Sequence, residues 1–313
     1  MKKIITISFI LAFSFPIFAQ LPVVHSGKIV QIQNFHSNYV TPRNIDVWLP
    51  ENYSPQKKYA VLYMNDGQML FDSSITWNKQ EWGVDETVSA LIAQKRINEC
   101  IVVGIYNGGK NRHIEFTPQK PFNQLPLSFR QQLLDSAKRP NGNMIFSGEV
   151  MSDKYLAFVV QELKPYIDSA FSTKRNRANT MMMGSSMGGL ISIYAICEYP
   201  EVFGAVGCLS THWPVIFFDT DHYFSSAMNE YMQQHLPNPK THKIYFDYGN
   251  KTLDSMYKPY QEKVDAIMMK AGYHKKNWIT KEFLGDDHSE QSWRKRLTMP
   301  LLFLMQRNSL DVE

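Results

Sequence analysis

The 313-residue chain has little cysteine and little net charge. With three Cys (Cys100, Cys197 and Cys208), at least one thiol has no intramolecular partner, which excludes a small disulfide-stapled scaffold. Cys100 and Cys208 fall in apolar, strand-like runs and Cys197 on a helical stretch. Buried thiols are the expectation, and a Cys197–Cys208 bridge stays open. The net charge of +4 falls to about +2 once Lys2 and Lys3 are removed, too weak and dispersed for a nucleic-acid footprint. Repeats and low-complexity segments are missing. Beyond the first twenty residues no apolar run approaches the ~20 needed to span a bilayer, so no stable membrane insertion of the processed chain is expected. A hydrophobic content of 44%, with 13% aromatics, excludes general disorder.

The N-terminus reads as a processing signal. Lys2 and Lys3 precede an apolar run from Ile4 to Phe18, and Ala19 offers a small residue at a cleavage point. Residues 1–19 are therefore expected to be a signal peptide, and the product to be periplasmic or extracellular. No Cys near that point supports a lipid anchor. Residues 20–313 show no linker and are expected to form a single domain.

Gly27–Phe35 and Asn44–Leu49 alternate apolar and polar residues, as half-buried strands do. The later runs Tyr59–Met64, Ile101–Ile105, Thr180–Met183, Val202–Leu209 and Lys243–Tyr248 are more continuously apolar, which suits parallel strands covered on both faces. Helices are expected at Val84–Gln94, Met187–Tyr199, Ser255–Ala271 and Ser289–Gln306, the last kinked or interrupted at Pro300. Leu156, Val159, Val160, Leu163 and Ile167 form a further core-facing helical stripe. Asn107–Met151 is the least regular stretch, placed as an excursion above the sheet, either a substrate-shaping cap or a surface loop.

Gly184-Ser185-Ser186-Met187-Gly188 is a G-x-S-x-G pentapeptide. Chance alone produces one in roughly one chain of this size in ten. Here a strand runs into it and an amphipathic helix runs out, the setting of a nucleophile elbow, and Ser186 is the serine with glycines on both flanks. A serine hydroxyl needs a base to take its proton. His288 lies between a strand-like run (Trp278–Phe283) and the last helix, whereas His274 precedes that run. The acid is expected after Lys243–Tyr248, where Asp254 is preferred over Asp247, Asp286 and Asp287. An N-cap role is the competing reading of Asp254. The order Ser, acid, His is that of an α/β-hydrolase fold, with a mostly parallel central sheet and helices on both faces. Backbone N–H groups of Met187 and of Gln68, in the turn Asn65-Asp66-Gly67-Gln68, are candidates to hold an oxyanion. Trp77, Trp82 and Trp213 could stack on a ligand or pack in the core, and Arg112 could bind a charged group or sit in a salt-bridged loop. Asp287-His288 lacks further ligands at metal spacing, so no metal is expected.

Val61-Leu62-Tyr63-Met64-Asn65-Asp66-Gly67-Gln68, the elbow through Gly189-Leu190, and His288 with Ser289 and Trp293 resemble the putative esterase family. That family includes enterochelin esterases, feruloyl and acetylxylan esterases and esterase D-like enzymes. The resemblance runs from about Gly27 to the C-terminus. It implies an α/β-hydrolase fold, a Ser-His-acid mechanism, no metal or organic cofactor, and a small-molecule or glycan-linked ester as substrate. Of the site residues it carries over Ser186, His288 and the oxyanion loop. An acyltransferase using the same residues, or a non-catalytic glycan-binding protein on the same scaffold, are the alternatives.

Overall fold

The computed structural model describes residues 21–139, 141–216 and 222–306. The proposed signal peptide lies outside them. Eight strands form one sheet: β1 (Lys28–Phe35), β2 (Arg43–Leu49), β3 (Ala60–Asn65), β4 (Cys100–Ile105), β5 (Thr180–Ser185), β6 (Ala205–Leu209), β7 (Lys243–Gly249) and β8 (Trp278–Phe283). Their spatial order is β1-β2-β4-β3-β5-β6-β7-β8. β1 and β2 pair antiparallel, β2 meets β4 antiparallel, and every later neighbour is parallel. This is an α/β-hydrolase fold.

Pleating sends alternate residues of β3 to opposite faces. Val61 and Tyr63 join one apolar cluster and Leu62 and Met64 the other. The sheet is thus covered on both sides, which is why its central strands lack polar alternation. The edge strands β1 and β8 keep half-buried and exposed positions.

The helices that matter for the site are α1 (Val84–Ala93), α2 (Met187–Glu198), α3 (Tyr223–His235), α4 (Lys258–Lys270), α5 (Glu290–Arg296) and α6 (Thr298–Met305). The last helical stretch breaks at Leu297. Pro300 stands at the third position of α6, and the prolyl ring clashes with the carbonyl four residues back, at Arg296. The stripe from Leu156 to Ile167 is helical too, but Phe158–Leu163 winds into wider π turns between Ser152–Ala157 and Lys164–Ala170. Pro165 cannot donate to the ladder, and the wider turns just before it absorb the mismatch. All three cysteines are free and buried.

The excursion carries short helices at Arg112–Phe116, Gln119–Asn123 and Leu127–Ser136. A buried bidentate pair anchors it, with Arg43 Nη1 and Nη2 donating to the two Glu115 oxygens at 2.8 and 2.7 Å. Lys120 adds an ion pair to Glu198 at the end of α2. The segment is therefore docked beside the helix that leaves the elbow.

Candidate active site

Ser186 occupies the turn between β5 and α2 with φ 56° and ψ −123°. That region is sparsely populated by residues bearing a Cβ, and holding it costs on the order of 1–3 kcal/mol. Two main-chain bonds help hold it: Ser186 N–H donates to Leu209 O at 2.9 Å, and its carbonyl accepts from His212 N–H at 3.2 Å. Crowding explains the glycines. A Cβ on Gly184 would lie 2.7 Å from the Gly188 carbonyl carbon, and one on Gly188 3.2 Å from the Asp66 carboxylate. The turn can close this tightly only without those side chains.

His288 lies beyond β8 and Asp254 beyond β7, and the two loops are stitched together. Asn250 and Lys251 N–H groups both donate to Asp286 O at 3.0 Å, and His288 N–H donates to Thr252 Oγ1 at 3.0 Å. A Cβ on Gly249 would lie 2.2 Å from Asp286 O, so that approach requires glycine. His288 Nδ1 is 2.6 Å from Asp254 Oδ1. Asp254 does not cap α4; it sits one turn earlier, in the short 3₁₀ helix Thr252–Met256. Its second oxygen accepts from Ser210 Oγ at 2.5 Å and from Gly249 N–H at 2.6 Å. Burial pushes this carboxyl up, but the bonds from His288, Ser210 and Gly249 outweigh it and hold Asp254 below its ordinary range.

The other acids considered from sequence have different partners. Asp287 accepts from the hydroxyls of Ser289 and Ser292. Asp286 binds Lys295 and Arg296, and Asp247 binds Arg296 at 3.0 Å. Arg296 was not singled out in the sequence, yet its guanidinium also donates to Ser210 Oγ at 2.8 Å and lies 3.7 Å from Asp254. One buried cation thus steadies three buried carboxylates. Burial lifts Asp247 to about 6, the attraction of Arg296 only partly offsetting it. Trp293 closes the same side, donating from Nε1 to Ser210 Oγ at 3.0 Å, with its ring edge-to-face against His288 at 5.0 Å.

Across the elbow, Gly67–Met69 forms a 3₁₀ turn at the end of β3. A Cβ on Gly67 would lie 2.4 Å from the Gly104 backbone, so the turn packs flat on β4. Asp66 is left-handed (φ 60°), and its carboxylate receives Arg112 Nε and Nη2 at 2.6 and 2.7 Å and Asn107 Nδ2 at 2.7 Å. Gln68 Oε1 accepts from Asn107 N–H at 3.2 Å. Asn65 ties the turn to α2 by donating to Gly188 O and Ser192 Oγ, while accepting from Tyr155. The N–H of Met187 opens α2, where no carbonyl one turn earlier is available to it.

Of the aromatic candidates, Trp82 and Trp213 are core residues, 3% and 2% exposed. Trp82 packs on Trp293, and Trp213 packs on Phe246 while donating to Gln261. Neither offers a ring face to a ligand in this structure. Trp77 is exposed, and its neighbour Asn78 donates to Glu290 at the start of α5, two residues beyond His288. Arg112 is half-buried and paired with Asp66. His274 lines a groove at the other end of the sheet, with Lys243 and Ala205 from the starts of β7 and β6.

With this geometry in hand, comparison with known proteins gives a consistent result. The model of the family described as "Putative esterase" matches residues 38–134 and 136–304. The chain belongs to that family. An uncharacterized protein of Bacillus subtilis, YbbA, is 28% identical over 173 residues, 55% of this chain and 58% of that protein. The chain thus matches less than two thirds of that relative's length. An endo-1,4-beta-xylanase/feruloyl esterase of Xylanibacter ruminicola is 24% identical over 286 residues, 88% of this chain and 31% of that protein. Among solved structures, a ferulic acid esterase from Anaeromyces mucronatus superposes with a TM-score of 0.64 at 18% identity, covering 91% of this chain and 92% of that one.

Proposed function

We propose that this family member is an exported serine hydrolase acting on carboxylic esters. The 2.6 Å contact between Asp254 and His288, at the same sheet end as the strained Ser186 turn, carries the reading. Asp254 fixes the imidazole by accepting from Nδ1, so Nε2 is the nitrogen left to act as base. Ser186 Oγ attacks the ester carbonyl carbon while its proton passes to His288. The carbonyl oxygen becomes an oxyanion held by the N–H groups of Met187 and Gln68. On collapse, the C–O bond to the alcohol breaks and His288 returns the proton to the departing alkoxide. Water then repeats the sequence on the acyl-serine, releasing the acid and restoring Ser186. Every step uses groups of this chain and water.

For the substrate, the xylanase/feruloyl esterase relative favours a feruloyl or similar carbohydrate-linked ester over a siderophore ester. Trp77, exposed, with its neighbour Asn78 bonded to the start of α5, is then the candidate to stack on an aromatic acyl group. Arg112, held by Asp66, would face its polar end. The test is a panel of p-nitrophenyl, feruloyl, acetylated-xylan and siderophore esters with Ser186→Ala as control. Feruloyl esters should be turned over best, with activity lost in the variant. Equal turnover by the variant would remove the assignment, and acyl transfer to an added alcohol in preference to water would make the protein a transferase.

A further inference from the structure

A second cluster of ligand-bearing side chains lies where the N-terminal segment meets α1, and the proposed reaction does not use it. Polar bonds fix that segment. Val23 N–H donates to Asp72 Oδ2 at 2.8 Å, His25 N–H donates to Asp85 Oδ2 at 2.7 Å, and the Ser26 carbonyl accepts from Trp48 Nε1 at 2.8 Å. His25 is thereby held at the first turn of α1, where Asp85 and Glu86 stand. One ligand atom from each of His25, Asp85 and Glu86 lies within 4.8 Å of the other two. His25 Nδ1 is 3.3 Å from Glu86 Oε1.

Acids in the first turn of a helix are common, because the helix dipole favours negative charge there, and such residues ordinarily face water. Asp85 does not; it is 0% exposed. Its Oδ2 takes the His25 N–H, but no N–H or hydroxyl reaches its buried Oδ1 among the described residues, and Glu86 Oε2 is buried without a partner too. A buried carboxylate oxygen with no donor has lost its water for nothing in return, and a second carboxylate beside it adds repulsion. Glu81, Asp85 and Glu86 gather near one guanidinium, that of Arg294, which pairs with Glu81 and Glu86. With the three acids ionised, the junction carries an excess of negative charge that one divalent cation would balance.

The donor set selects the ion. Mg²⁺ and Ca²⁺ take oxygen ligands, which an imidazole nitrogen does not supply, and no thiolate stands in the cluster to favour a soft ion. One imidazole with two carboxylates suits Zn²⁺, whose donors lie about 2.0–2.2 Å away and so roughly 3.3–3.5 Å from one another in a tetrahedral site. The His25–Glu86 separation of 3.3 Å already meets that edge. The His25 side chain is 71% exposed, so its ring can turn toward Asp85, and its open side leaves the fourth position to water. Arg294, donating to Glu86 Oε1 at 2.8 Å, holds that carboxylate in place. We propose that His25, Asp85 and Glu86 bind a structural Zn²⁺ that staples the N-terminal segment to α1. The inference does not depend on the esterase reading, and the ion takes no part in the proposed reaction.

The test titrates Zn²⁺ into EDTA-stripped processed protein by calorimetry, with a thermal melt of each sample. Wild type should bind one ion per chain and melt at a higher temperature in its presence. His25→Ala removes an exposed side chain, so the variant should fold. Its affinity should fall by more than the roughly 10–100-fold that loss of an outer-shell partner costs, and the thermal shift should vanish. Glu86→Gln keeps the shape, removes the charge and should behave alike; if it does not fold, His25→Ala decides alone. No saturable binding by wild type would overturn the inference, the facing carboxyls then sharing a proton instead. Binding undiminished in His25→Ala would overturn it by placing the ion elsewhere. Tighter binding of Ca²⁺ than of Zn²⁺ would overturn it as well, because such an ion would not call on His25.

Discussion

The two sides of the candidate site are built differently. On the acid–base side, Asp247, Asp254, Asp286 and Arg296 are all 4% exposed or less, and three carboxylates share one guanidinium. On the oxyanion side the central ion pair, Arg112 with Asp66, keeps 29% and 12% of its side chains exposed. Buried charges are costly to desolvate and tolerate little displacement, so the first side is fixed. The Arg112–Asp66 pair is more exposed than the Arg296 cluster, so solvent screens it more. On the proposed reading, the first side does the chemistry and the second helps choose what is acted on.

Asp254→Asn tests the fixed side most severely. The amide leaves the shape unchanged but favours the wrong imidazole tautomer, and kcat should fall about 10⁴-fold in steady-state assays. Arg296→Met leaves three buried carboxylates without their shared cation. Denaturant titration should show a loss of about 3–5 kcal/mol, and a loss below 1 kcal/mol would erase the contrast between the two sides. The pH dependence is subtler. Asp254 has its carboxyl lowered by folding, so it stabilises the protein above the ordinary carboxyl value of about 4, and that contribution is lost as pH falls through the folded value. The melting-temperature gap between wild type and Asp254→Asn should stay constant above about pH 5 and narrow below about pH 4. Arg112→Ala should do least to the fold, changing stability by under about 1 kcal/mol while raising KM for preferred esters more than for p-nitrophenyl acetate. Equal effects on both esters would remove Arg112 from substrate choice.

Much of the fold was legible because its signals are local. Continuous apolar runs marked the central strands, and glycines around Ser186 marked a turn where a Cβ does not fit. Pro300 announced the break that falls at Leu297. The helix α3 (Tyr223–His235), absent from the sequence expectations, does carry a local signal, with Phe224, Ala227, Met228, Tyr231 and Met232 at i, i+3, i+4, i+7 and i+8. Other features depend on partners distant in sequence. Nothing in their neighbours tells that Trp82 and Trp213 face the core while Trp77 faces solvent. Arg296 reads as one basic residue in a basic helical turn, and only β7, β8 and the loop after β6 packing around it reveal its role. Tyr257 and His212 are 45 residues apart, so their contact follows from topology alone.

The most direct test of the central claim is intact-protein mass spectrometry after fluorophosphonate treatment, run beside hydrolysis of p-nitrophenyl and feruloyl esters. Wild type should gain a single adduct that maps to Ser186, and Ser186→Ala should gain none and lose hydrolysis by several orders of magnitude. An adduct that persists in folded Ser186→Ala, or hydrolysis unchanged by that substitution, would contradict the account.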